Sequence, residues 1–395
     1  MSWINHLTSL WAVKAIPNHE TKNSRAKGLI SLYSTGRPVW SPHNYAAFAK
    51  EGFAENAIGF RCVKMIAEAA ASVPWQVSVA GKVVDEHPMF DLLKNPNPAE
   101  SGRSLMEGFY ANLQISGNAY LEAGCLGEQV RELHLLRPDR MKVIPGPSGW
   151  PEGFEYSVNG KSVRFDQLAS DLPPILHMKM FNPVDDYYGL SPFQAAGKAI
   201  DIHNAAGAWN KALLDNAARP SGALVYGGGE SDSNLTNEQF ERLKSELENT
   251  FQGAANAGRP MVLEGGLDWK PLSLSPKDME HIEAKNVAAR EIALAFGVPP
   301  MLLGIPGDNT FSNYAEANRS FWRQTVLPLA QRTSQSLTNW LCASFNDSPQ
   351  LDVNTDHIAA LTIEKEALWK RVSSADFLSQ DEKRQMVGLS PSTVK

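Results

Sequence analysis

Apolar positions recur at helical spacing over Ala57–Ala71, where Ile58, Val63, Ile66 and Ala70 share roughly one face. The period then shortens. Residues 73–79 and 82–84 predict two strands joined at Ala80 and Gly81. Residues 87–93 predict a short helix, stopped by Asn95-Pro96-Asn97-Pro98, because a residue before proline is pushed out of the helical region. Residues 105–116 are helical, and after Gly117 a strand is predicted over 118–123. Further strands fit residues 133–136, 142–144, 155–158 and 176–180, so the first half is α+β. Residues 1–50 are poorly periodic and read as an N-terminal arm.

At residue 190 the texture changes. Ser191 is placed to cap a helix, Pro192 suits its first position, and Gln194 is placed for a capping box. Nothing stops that helix before Arg219-Pro220, which predicts roughly 27 residues and ~40 Å. It is rich in alanine, including Ala199 and Ala206. Residues 222–226 then read as strand and Gly227-Gly228-Gly229 as a flexible turn. Residues 236–251 read as an amphipathic helix with Phe240 on its apolar face, and residues 261–263 and 269–272 as short strands. A second long helix opens with the same chemistry, Ser275 as cap and Pro276 at the first position, and ends at Gly297 before Pro299-Pro300. A small module is thus bracketed by two long helices, as an insertion at the tip of an antiparallel stalk. Residues 301–312 form a loop of almost no charge. A third long helix, residues 313–345, is expected to kink at Pro328. The tail is helical and polar, with Ser379 and Glu382 at capping-box spacing.

Composition narrows the function classes. The formal net charge is −6, and no basic stripe is present of the kind that binds duplex phosphates by releasing counterions. Cys62, Cys125 and Cys342 lie far apart, in neither metal nor disulfide spacing, which suits a reducing compartment. No run approaches the ~20 apolar residues of a membrane-spanning helix. Gly227–Gly229 lacks the Lys-Ser/Thr of a phosphate loop. His281 and Glu283 face different directions, Asp185-Asp186 has no carboxylate partner, and His203 on an alanine-rich face suits packing or an intersubunit hydrogen bond. These residues supply no catalytic set, metal site or cofactor site.

The ordered blocks of residues say more. Val73-Pro74-Trp75, His87-Pro88, Asn95–Pro98, Gly117-Asn118-Ala119-Tyr120, Tyr188-Gly189-Leu190-Ser191-Pro192, Phe296-Gly297-Val298-Pro299-Pro300 and Asn313-Tyr314-Ala315-Glu316 stand in the order found in portal proteins of long-tailed bacteriophages. The chain resembles that family over roughly residues 55–390. The resemblance implies a ring of about twelve copies at one capsid vertex. It implies an N-terminal arm (1–50), an α/β wing (51–190), stem helices at 191–218 and 275–298, and a small α/β clip between them (219–274). A tunnel loop and kinked long helix (299–346) and a wing end with a short helical crown (347–395) complete the expected architecture.

Partners implied are further copies of the chain, the major capsid protein, the terminase large subunit, a head–tail adaptor, and double-stranded DNA passing without sequence specificity. The implied location is the capsid vertex of a virion or phage-like particle assembled in the host cytoplasm. The expected tunnel loop is Gly304, Ile305, Pro306, Gly307, Asp308, Asn309, Thr310, Phe311 and Ser312, with Ile305 and Phe311 as constriction contacts. Ala199, His203 and Ala206 are expected to pack between neighbouring stems, and Gly227, Gly228, Gly229 and Phe240 to dock partners at the clip. A DNA-processing enzyme or another ring-forming adaptor is the competing reading. The enzyme would need a carboxylate metal cluster or a phosphate loop.

Overall fold

The computed structural model describes residues 40–388 except 128, 216–221, most of 227–266, 272–276, 308–310 and 357. By its internal contacts the chain divides after Val39, and every described residue lies in the second unit. Residues at the end of the expected arm are helical: a turn over Tyr45–Ala47 runs into a wider π turn over Phe48–Ala54. Phe48 and Phe53 pack on the main core.

That core forms between the helices Ala57–Ala71 and Gly102–Ser116. Each buries an apolar stripe, and Cys62, Ile66, Phe109, Tyr110 and Leu113 are sealed from solvent. Burial pushes the Cys62 thiol up to about 12, with Arg61 opposing. Among the described residues, eleven strands follow in chain order: β1 (Trp75–Val79), β2 (Lys82–Val84), β3 (Asn118–Leu126), β4 (Gln129–Leu136), β5 (Met141–Pro145), β6 (Pro151–Val158), β7 (Lys161–Asp166), β8 (Ile175–Lys179), β9 (Gly222–Tyr226), β10 (Leu267–Pro271) and β11 (Gln350–Val353). They pair antiparallel in the orders β11-β1-β2, β4-β3-β8, β5-β6-β7 and β10-β9.

Two strands lack a strong apolar signal in the sequence. β7 is exposed at nearly every position, and it is held by the turn at Asn159 and Gly160, both left-handed. β11 pairs Leu351 with Val77, and only that distant partner makes it a strand.

The long helices differ from the sequence expectation in instructive ways. The first breaks into Pro192–Ala195 and Gly197–Asp215. The break follows Phe193, which is fully buried. A Cβ at Gly52 would sit 2.6 Å from its ring and one at Gly59 2.8 Å, and Phe296 meets it edge-on at 4.9 Å. The third long helix runs as Phe311–Phe321, a π turn over Trp322–Val326, and then Leu327–Leu341. Pro328 has no N–H and its ring crowds the preceding turn, so the widened turn lies where the kink was expected.

Phe193→Ala should therefore lower the unfolding free energy by about 3–5 kcal/mol, since two glycines shaped around the ring cannot refill the cavity. Thermal melts of the purified variant check this. A loss under about 1 kcal/mol would show that the slot collapses.

Candidate functional site

The sequence blocks that stand out as motifs meet one another in space. Gly117 ends the Gly102–Ser116 helix in a left-handed conformation (φ +75°). A Cβ on Gly189 would lie 2.1 Å from the Gly117 carbonyl oxygen, and one on Gly117 would lie 2.6 Å from that of Gly189. Each backbone occupies the space the other's side chain would need. Asn118 Oδ1 accepts the Gly189 N–H at 2.8 Å and faces His177 Nε2 at 3.0 Å, while its Nδ2 donates to the Ser116 carbonyl. The Ser191 hydroxyl caps the next helix by accepting the Phe193 N–H. It lies 3.0 and 2.7 Å from the carbonyls of Gln114 and Ile115, so it points back to the earlier helix and not into a capping box. Asn97 likewise donates to the Leu133 carbonyl at 2.9 Å, locking the Asn95–Pro98 turn to β4.

His177 lies flat on Tyr120 at 4.3 Å between ring centroids, with Phe154 edge-on at 5.6 Å. Burial, reinforced by Lys179, lowers its pKa to about 3, so the ring is neutral and its Nε2–H can donate to Asn118.

Beyond Ser191, the helices Gly197–Asp215 and Lys277–Ala295 run antiparallel and pack on each other. Asn56 anchors the first of them. Its Oδ1 caps the Ala57–Ala71 helix by accepting the N–H groups of Ile58 and Gly59, and its Nδ2 reaches His203 Nδ1 at 3.2 Å and Asn204 Oδ1 at 2.8 Å. Asn204 in turn donates to the Glu51 carbonyl. Burial, then Lys285, holds the His203 pKa below its ordinary value.

Three residues expected between neighbouring stems have contacts within their own subunit. His203 makes its hydrogen bond inside its own chain, and the isolated subunit already covers Ala199 (4% exposed) and Ala206 (8% exposed). Their small size is needed first for packing within the subunit.

The expected tunnel loop is also rearranged at its base. A 3₁₀ turn over Pro300–Leu303 ends at left-handed Gly304 (φ +72°). Ile305, expected to be free in a channel, is 5% exposed and packs with Ala289, Ala293, Ile58 and Leu303. Its apolar side chain is drawn into the nearest core, as the hydrophobic effect favours. Arg290 donates to the Pro306 carbonyl, and Pro306 and Gly307 are exposed. Asp308, Asn309 and Thr310 lie outside the described residues. Phe311 and Ser312 begin the following helix instead of continuing the loop. On the other side, Thr325 Oγ1 donates to the Gly297 carbonyl at 2.6 Å. Gly227, Gly228, Gly229 and Phe240 lie outside the described residues.

Sequence reasoning missed Asn56, Arg290 and Phe193. Only the asparagine before a helix start gave a local hint, that of a cap. Among the described residues, no group of three or more His, Cys, Asp or Glu could hold a metal ion. No described helix is long and apolar enough to cross a membrane.

Two measurements test these assignments. His177 takes up a proton in the unfolded chain near pH 6.5 but resists it when folded until about pH 3. Its contribution to stability is therefore complete above about 6.5 and is lost as pH falls through that window, roughly 2 kcal/mol between pH 7 and pH 5. His177→Gln should flatten the pH dependence of the melting temperature; an unchanged slope would assign the acid sensitivity to other groups. Ala199→Phe should cost about 1–3 kcal/mol of subunit stability by overpacking, read from denaturant unfolding.

The comparisons with known proteins agree with this architecture. The phage portal protein family model matches residues 57–388. A chain in the neck of a native gene transfer agent particle, determined with C12 symmetry, is 53% identical. It covers 90% of this chain and 96% of its own, with a TM-score of 0.71. An uncharacterized protein of Rickettsia bellii is 41% identical over 86% of this chain and 88% of its own length. The portal protein of Enterobacteria phage HK97 is 26% identical over 72% of this chain and 66% of its own length. With most of its length matched by one family of structural, non-enzymatic proteins, the chain belongs to the phage portal protein family.

Proposed function

We propose that this chain is one subunit of a ring, of about twelve copies, that forms the DNA channel at one vertex of a phage-like particle. In this reading the mixed sheet-and-helix body is the wing. The Gly197–Asp215 and Lys277–Ala295 helices are the stem, the segment between them is the clip, and the helices after Thr362 are a short crown. DNA enters through the ring during packaging and leaves through it on ejection. The clip docks the terminase large subunit and later a head–tail adaptor, and the wing meets the major capsid protein.

One observation carries the reading: the 53% identity, over nine-tenths of the chain, to a subunit of a twelve-fold particle neck. That identity is twice the 26% shared with the HK97 portal protein, which favours a particle of the gene-transfer type. The charge of −6 supports a conduit. A ring of acidic subunits repels phosphates from its wall, so the duplex slides without being trapped. The motor chemistry then belongs to the terminase.

Electron microscopy of the purified full-length protein should show rings with a central hole, and deleting the gene should give particles devoid of DNA. A monodisperse monomer at high concentration, together with normally filled particles from the deletion strain, would overturn the proposal.

A further inference from the structure

Asn56 is 1% exposed at the junction with the Gly197–Asp215 helix, and its side chain has a partner on every side. The N–H groups of Ile58 and Gly59 point at one edge of the amide, at 3.1 and 3.0 Å. Only an oxygen can accept them, so the amide cannot turn over without losing the helix cap. The amino group therefore faces the Gly197–Asp215 helix. Its two hydrogens meet two acceptors, His203 Nδ1 at 3.2 Å and Asn204 Oδ1 at 2.8 Å. Asn204 donates in turn to the Glu51 carbonyl at 3.0 Å.

This closed set fixes the state of the imidazole. A hydrogen from Asn56 needs a lone pair, so His203 carries its own proton on Nε2 and presents Nδ1 bare. A second proton would land on Nδ1, donor against donor, opposite an amino group that cannot turn away. The oxygen that side chain offers the charged ring, on Asn204, already serves Asn56.

The surrounding charges do not rescue a protonated ring. Lys285 reaches across from the Lys277–Ala295 helix, 3.9 Å from where a Cβ on Gly207 would stand, one turn beyond His203. The Asp201 carboxylate, on the same helix, accepts from the Ser41 N–H and hydroxyl at 2.9 and 2.7 Å. Glu51 and His43 line a cleft with those two residues. Burial first, then Lys285, lower the ring's pKa from its ordinary value, outweighing Asn204.

We propose that His203 is an acid-operated catch: the neutral ring closes the junction between Asn56 and the Gly197–Asp215 helix, and the protonated ring opens it. The device works within one subunit. An open junction lets the ring take up its proton more readily, so the stabilisation is complete above the ordinary pKa near 6.5 and is lost as pH falls below it. The Ser41–Asp201 and Asn204–Glu51 ties do not use the imidazole, so the opening is local.

Amide hydrogen exchange of the purified full-length protein, at about pH 7.5 and about pH 5, tests this once each rate is divided by its intrinsic value. Peptides spanning residues 44–60 and 198–209 should lose protection on acidification by about three-fold or more. The ordinary histidine pKa sets a ceiling of about thirty-fold. Peptides from the Gly102–Ser116 helix should hold theirs; an equal fall there would mark general loosening and overturn the catch. Unchanged protection at the junction would overturn it as well.

Three variants assign the effect. His203→Gln keeps an acceptor but does not titrate, so its response should be flat, and a wild-type response would exclude His203 as the switch. His43→Gln should respond as the wild type does; a flat response would move the switch to that ring. Asn56→Asp still caps the helix but sets an oxygen where the amino group stood. Acid should then tighten the junction, whether or not His203→Gln folds. A wild-type sign in Asn56→Asp would rule out the clash of donors as the cause.

Discussion

The described fold turns on a contact between two backbones that have no side chains to keep them apart. Gly117 and Gly189 meet so closely that a methyl group on either would collide with the carbonyl oxygen of the other. Collisions with backbone cannot be relieved by a rotamer change, so the approach is available to glycine alone. The contact fixes where the chain leaves β8 and where the Pro192 helix starts. Asn118 and Ser191 then satisfy the polar groups buried beside it. A buried amide or hydroxyl without a partner would cost about 1–3 kcal/mol, and here the partners come from the very segments being joined. The same residues that close the junction therefore satisfy it.

This explains why the chain was legible in some places and opaque in others. The helix over Ala57–Ala71 and the end of the Lys277–Ala295 helix at Gly297 follow from local periodicity and from a left-handed cap, both written within a few residues. The blocks at residues 117–120 and 188–192 were conspicuous because each is half of a close contact. What they contact could not be read, since the two halves lie about seventy residues apart. β11 and β7 were missed for opposite reasons. One depends wholly on a partner nearly 280 residues away, and the other is exposed on almost every side chain and so carries no alternation.

The site itself was less legible than the fold. Uncharged Gly304–Gly307 looks like a free loop because composition cannot report that Ile305 has a hydrophobic recess within reach, or that Arg290 is placed to hold the Pro306 carbonyl. The alanines of the Gly197–Asp215 helix signal close approach without saying to what, and the nearest surfaces to approach belong to the same subunit. With Thr325 holding the Gly297 carbonyl, the base of the loop is tied both to the Lys277–Ala295 helix and to the π turn ahead of Pro328. A load applied to the loop is thus shared by two long elements.

The buried thiol of Cys62 has a consequence of another kind. Alkylating reagents attack the thiolate, and a group held near pKa 12 in a sealed core offers almost none at neutral pH. Cys125, on the surface, is open to reagent from the first moment. The slow labelling of one cysteine against the fast labelling of the other makes the protein its own clock. Delayed modification of Cys62 counts the occasions on which the helix Ala57–Ala71 parts from its neighbours, without any probe having to be introduced.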